Sequence, residues 1–264
     1  MQDRAEALEQ LREEAQLSHE AGRPARFWWR DDDLVANSAN FDALTGLAVR
    51  FHAPLLVAVI PGMAAAMLDL GRADPGLVHF CQHGWKHTNH LTAGPGKSEF
   101  GGDRAPDTVL AEIAAGRDIL VRLLGDRFMP VFVPPWNAFD PGHLPALTAC
   151  GLTGLSTYGH RPGPYAADGI RLANTHIDIL RWDAPGGPKA LAAGDVFDRL
   201  AQLVRRQRLD PGADPEPIGI LSHHRAMGDD AWALLDGLFD AINGMPGAGW
   251  AAPPAIFAPP SSAQ

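Results

Sequence analysis

"RFWWRDDDL", residues 26–34, is a run of bulky apolar side chains that stops at three consecutive carboxylates. The aromatic part favours extended backbone and reads as a strand. Three adjacent carboxylates repel one another, and on a surface loop they would be a solvated turn or a helix cap. At the end of an apolar strand they sit where a hard cation would relieve the repulsion, one as ligand while its neighbour stays free as a base.

Outward from this stretch the chain alternates. A helix is expected over 41–52, a buried strand over 54–61 ("PLLVAVIP"), a short helix near 63–70 and a third strand over 77–83 ("LVHFCQH"). Asp107 is expected to cap an amphipathic helix over 108–124. Strands follow over 129–136, 155–159 and 170–180, then a helix over 195–209, a strand over 217–224 and a closing helix over 229–242. Such alternation implies parallel strands joined by helical crossovers, an α/β fold. The polar residues cluster at the strands' C-terminal ends: the three aspartates, 83–87, 134–137, 176–178 and His223 with His224. In a parallel barrel those ends form one face, where active sites are built.

With 264 residues, 46% of them hydrophobic, the chain suits one large domain. A helical extension is expected over 1–25, the barrel over 26–245 and a loose Pro/Ala-rich tail over 246–264. The net charge of −9 and the pI of 5.6 argue against nucleic acid or an anionic membrane as partner. The basic stretch Arg205, Arg206, Arg208 ends a helix and complements its dipole. Cys81 and Cys150 read as buried free thiols of a reducing compartment. The charged N-terminus shows no secretory h-region and no run is long enough to span a membrane, so a cytoplasmic location is the expectation.

"QHGWKHTNH" (82–90) places three histidines in nine positions. With 11 histidines in the chain, roughly 0.45 pairs at i,i+4 arise by chance, so the spacing alone is weak. If a helix opens at Gly84, His83 and His87 share one face and reach a single ion, with His90 as an alternative ligand. Two histidines and one carboxylate leave coordination positions open, which suits hydrolysis. In "FVPPWN", Pro134 and Pro135 fix the backbone and hold the Trp136 amide at a strand end, where it would stabilise an oxyanion or simply belong to a stiff loop. "ILSHH" puts His223 where it would protonate a leaving amine. His176 and Asp178, two apart on one strand, are expected to share a face. Trp28, Trp29, Trp85 and Trp136 are either sugar-stacking platforms or core.

With these segments in this order, the chain resembles the polysaccharide deacetylase (NodB-homology, carbohydrate esterase family 4-like) family of metal-dependent amidases. The resemblance covers about residues 26 to 240 and implies a distorted (β/α)7 barrel. It implies Asp32 as base and Asp33 as metal ligand, following the Arg-x-Asp-Asp pattern at 30–34, with Asp31 and Asp32 as the alternative register. His83 and His87 match the metal pair, although Gly84 stands where the family has Ser or Thr. Leu221, Ser222 and His223 match the catalytic histidine motif, and Asp178 with Trp182 loosely matches its orienting segment. Val133 departs most, because the family has an arginine there that pairs with the base. Arg30, two residues before Asp32 on the same strand face, is the candidate replacement, or else it packs over Trp28 or faces solvent.

The resulting expectation is a divalent-metal hydrolase, with Zn2+ the expected ion and Co2+, Ni2+ or Mn2+ the alternatives. It would remove an N-acetyl group from a sugar, an oligosaccharide or a sugar-like small molecule. The rival readings are hydrolysis of another C–N bond, as in a cyclic amide or ureide, and a non-catalytic carbohydrate-binding barrel.

Overall fold

The computed structural model describes residues 3–258 except 65–67, 69, 72, 93, 211 and 213. Its helices are α1 (Arg4–Glu20), α2 (Ala39–Phe51), α3 (Pro106–Leu124), α4 (Leu144–Ala149), α5 (Ala193–Leu209), α6 (Asp229–Asn243) and α7 (Pro253–Ile256). Its first strands are β1 (Ala25–Leu34), β2 (Leu55–Val59), β3 (Val78–His83), β4 (Phe128–Val133), β5 (Gly154–Leu155) and β6 (Tyr165–Ala167). Then come β7 (Ile170–Leu172), β8 (Ile177–Asp178), β9 (Leu180–Arg181), β10 (Lys189–Ala190), β11 (Ile218–Ser222) and β12 (Ala248–Trp250).

β1 pairs in parallel with β2 and β11, and the parallel order continues through β3, β4 and β5 to β7. β8 pairs in parallel with β11. The expected single strand over 170–180 is therefore broken into β7, β8 and β9. The break is what closes the fold. Ala173 N donates to Leu155 O at 3.2 Å, Thr175 N to Thr157 O at 3.1 Å and His176 N to Gly219 O at 2.7 Å. One segment thus carries the sheet from β5 round to β11, giving a ring of β1, β2, β3, β4, β5, β7–β8 and β11. This is the distorted (β/α)7 barrel.

Two expected helix features differ. Instead of a helix near 63–70 there is one short turn, Pro61–Met63; Ala64, Leu68 and Leu70 are not helical, and the rest of that stretch lies outside the described residues except Met63. α3 begins at Pro106 with Ala105 as its cap, so Asp107 lies in the first turn and acts through the dipole instead of as the cap.

Alternation in β1 divides the core. Phe27 and Trp29 pack in the cluster beneath the helices, whereas Trp28 fills the barrel with Leu56, Ala58, Cys81, Val131, Val133 and Ala173. The tail after Pro246, expected to be loose, is packed as far as Phe257, and 259–264 lie outside the described residues. β12 pairs with the beginning of β1, and α7 sets Ile256 and Phe257 against Trp28, with the Phe257 ring 6.0 Å away edge-on. Gly154 makes room for this plug, because a Cβ there would lie 2.8 Å from Phe257 Cδ1. The N-terminal helix is also packed: Ala7, Leu11 and Ala15 are buried and Glu14 pairs with Arg208 of α5 at 2.8 Å. Both cysteines are free and buried, and among the described residues no helix is long and apolar enough to cross a membrane.

Candidate active site

Inward-facing positions of β1 lead from Trp28 to Arg30 to Asp32, and Asp31 faces the other way. Asp31 is fully buried. Its carboxylate accepts from Ser222 Oγ at 2.6 Å and His224 N at 2.9 Å, and pairs with His224 Nδ1. The alternative register, with Asp31 as base, is not what the cleft contains. Simple alternation would send Asp33 after Asp31, away from the cleft. Asp33 instead has φ 74°, and the β1–β2 register slips between Asp31 and Leu34. A left-handed non-glycine residue costs about 1–2 kcal/mol, and such bulges re-aim side chains. Here the result is two adjacent carboxylates lining one cleft.

Asp33 Oδ1 lies 3.1 Å from His83 Nε2 and 3.4 Å from His87 Nε2. Two ligands bound about 2.0–2.1 Å from a tetrahedral ion stand about 3.4 Å apart, so this donor set fits a divalent cation. The partner behind the ring agrees: His83 Nδ1 donates to Val133 O at 2.9 Å, which leaves the Nε2 lone pair for the ion. No helix opens at Gly84, contrary to the expectation. Residues 84–90 are irregular, with Gly84 at φ 55° and His87 at φ 57°. His90 is exposed and outside the cluster.

A second group within ligand distance is His160, His176 and Glu216. Its polarity is wrong for a metal. His176 Nδ1 accepts from Gly219 N at 2.9 Å, so the neutral ring carries its proton on Nε2, 3.3 Å from Glu216. No lone pair is left for an ion. The expected shared face is not formed: His176 lines a separate pocket with His160 and Arg206, whereas Asp178 lines the cleft with Asp32 and Asp33.

Arg30 is fully buried beside Asp32, with Nε 2.9 Å from Oδ1 and Nη2 donating to Oδ2 at 3.0 Å. Ser156 Oγ (2.7 Å), Thr157 O (3.3 Å) and Asn137 Oδ1 (2.7 Å) accept its other three protons. Arg30 thus neither faces solvent nor merely packs on Trp28. Across the cleft, His223 Nδ1 lies 3.8 Å from Asp178 Oδ1. Trp182 Nε1 donates to Asp178 Oδ2 at 2.8 Å and sets its ring edge-on to His223. The Pro134–Pro135 turn is followed by Trp136 and Asn137, both near φ 56°, and the Trp136 ring stands 4.3 Å from His87.

Asp32, Asp33, His83, His87, Trp136, Asp178, Trp182 and His223 line a cleft of about 370 Å³. Sequence reading gave Asn137 a strand-end position but no role and missed Tyr158; both also line it. Of the four tryptophans weighed as platforms, Trp28 and Trp29 are core and Trp85 packs partly buried on a second apolar cluster. Trp136 and Trp182 border the opening.

Electrostatics follow the geometry. Burial would raise the Asp33 carboxyl, but the hydrogen bond and charge of His83, with His223 and His87, hold it well below the usual carboxylate range. Burial opposes charge on His83, yet Asp32 and Asp33 draw a proton onto it and raise it. That proton marks the place a cation would fill. Burial and the charge of His83 keep His87 low, suited to a neutral ligand. Burial raises Asp178 despite His223 and the Trp182 hydrogen bond.

No protein-family model and no curated protein matches the sequence. Solved structures do. A protein of Mycobacterium smegmatis described as a polysaccharide deacetylase matches with TM-score 0.56 at 17% identity, over 81% of this chain and 73% of that one. A peptidoglycan N-acetylglucosamine deacetylase matches with TM-score 0.52 at 13% identity, over 89% and 88%. A family 4 acetyl xylan esterase of Clostridium thermocellum, solved with a cobalt ion, matches with TM-score 0.50 at 11% identity, over 88% and 89%. The chain has the fold of the polysaccharide deacetylases and family 4 carbohydrate esterases.

Proposed function

We propose that this protein is a metal-dependent hydrolase that removes an N-acetyl group from a sugar or sugar-like substrate. The observation that carries the reading is the convergence of Asp32, Asp33, His83, His87, Asp178 and His223 on one cleft. Asp33, His83 and His87 would hold the ion, which when bound supplies Lewis acidity to a carbonyl and to water. Zinc suits the one-carboxylate, two-imidazole set, and cobalt, nickel or manganese would be tolerated.

Asp32 takes the proton of the attacking water, held in place by the Arg30 fork that stands in for the family's arginine. The Trp136 amide, on its rigid turn, donates to the oxyanion. His223 delivers a proton to the leaving amine, with Asp178 and Trp182 fixing its ring. Among the structural neighbours are both an N-acetylglucosamine deacetylase and an acetyl xylan esterase, so O-acetyl substrates belong in the same panel, with cyclic amides added to test the rival C–N reading.

Metal analysis tests the site itself. The purified protein should hold close to one divalent ion per chain, lost in His83→Ala or His87→Ala and kept in His176→Ala. Metal content unchanged in both of the first two variants would remove the site.

A further inference from the structure

His87 is placed without a helix, so something else must fix the loop that carries it. Glu99 lies fully buried beside that loop. Its Oε1 accepts from Lys86 N at 2.8 Å and Thr88 N at 3.1 Å, and its Oε2 accepts from Trp85 N at 2.9 Å. Three backbone N–H groups on both sides of His87 therefore converge on one carboxylate, as they would on a bound anion in a backbone nest. Gly84 is part of the same arrangement. A Cβ there would stand 2.2 Å from Glu99 Oε2 and 2.5 Å from Pro135, which explains glycine where the family has Ser or Thr.

The Glu99 backbone is anchored in turn. Arg104 donates to Glu99 O at 3.1 Å and forks onto Glu112 of α3 at 2.7 and 2.9 Å. Beyond the three bonds, His90 N reaches Ser98 O at 2.9 Å, and Ser98 N reaches Asn89 Oδ1 at 2.9 Å. Phe100 is buried in the second apolar cluster. A helix would have organised His87 by its own hydrogen-bond ladder. Here a distant side chain performs that task.

We propose that Glu99 is the positioning residue of the metal site, holding His87 at its left-handed backbone angle so that Nε2 meets Asp33 and His83. The proposal rests on the metal-site reading above. It concerns metal affinity, not contact with substrate.

The test measures zinc affinity by chelator competition in the full chain, with thermal unfolding of the metal-free protein alongside. Glu99→Gln replaces one acceptor oxygen by a donor that faces the loop N–H groups. It should weaken zinc binding about 10- to 100-fold, as loss of an outer-shell partner typically does. Glu99→Asp keeps the charge but withdraws it and should fall between Gln and wild type. The metal-free Glu99→Asp protein should keep a cooperative unfolding transition. Wild-type affinity in Glu99→Gln, in an assay where His87→Ala loses zinc, would overturn the proposal. Failure of both variants to fold would also overturn it, by making Glu99 a structural residue only. If His83→Ala and His87→Ala themselves bind zinc normally, the metal-site reading fails instead.

Discussion

Asp32 and Asp33 are chemically identical neighbours given different surroundings by one backbone angle. Asp32 keeps the strand's inward direction and meets Arg30, while the left-handed turn at Asp33 delivers the second carboxylate to the histidines. A ligand and a base fail differently. Asp33→Ala should lose the metal, whereas Asp32→Asn should keep it and lose about 10²–10⁴-fold in turnover, checked by metal analysis beside kcat. Metal loss in Asp32→Asn with retention in Asp33→Ala would reverse the assignment.

Arg30 carries a second consequence because it is fully buried. Breaking a buried pair by removing one partner typically costs about 3–5 kcal/mol, since the other charge is left uncompensated. Arg30→Met should show that loss in urea unfolding, with a further 10- to 100-fold fall in kcat where the protein is folded. Adding Asp32→Asn should return a good part of the stability, though none of the activity. Additive destabilisation in the double variant would show that the two side chains do not act as a pair.

At the scale of elements, the strand ends explain what was readable. The three apolar runs of β1, β2 and β3, the helices α3, α5 and α6, and the strand carrying His223 were legible because each follows a simple period or an unbroken apolar run. The ligand loop was not. His83-x-x-x-His87 has helical spacing, but Gly84 at φ 55° and the pull of Glu99 on three amides win over it. The final segment was equally opaque. Pro and Ala after residue 246 suggest a loose tail, yet β12 pairs with β1 and Phe257 enters the barrel, a tertiary contact that composition does not encode.

The end of β11 holds a further test. His224 pairs with Asp31 on the side of β1 opposite the cleft. Burial lowers its tendency to charge, but the charge and hydrogen bond of Asp31 outweigh burial and the repulsion of Arg225, so its proton is held more tightly than in the unfolded chain. A histidine with a raised folded pKa contributes stability that is complete below the unfolded value of about 6.5 and lost as pH rises through the folded value. The stability gap between wild type and His224→Gln should therefore shrink as pH is raised above that range, in paired urea titrations. A gap that widens with pH would mean that the pair is held by a neutral ring.

For the whole molecule, the ring of seven strand positions puts the C-terminal ends of β1, β3, β4, β8 and β11 on one rim, which is how residues from 32 to 223 reach one cleft. That placement was foreseeable from the position of polar residues after apolar runs. The loop partners Asn137 and Glu99 were not, since neither lies in a periodic pattern and their roles depend on contacts with Arg30 and the 85–88 amides. Everything above leads to metal-assisted hydrolysis of an acetyl group. The most direct measurement is acetate release by zinc-reconstituted protein from a panel of N-acetyl sugars and oligosaccharides, with O-acetyl and cyclic-amide compounds as comparison. Release from at least one N-acetyl substrate is expected, abolished by chelation and in Asp32→Asn that still holds its metal. A protein carrying one metal ion that frees no acetate from any of them, or an Asp32→Asn variant as fast as wild type, would contradict it.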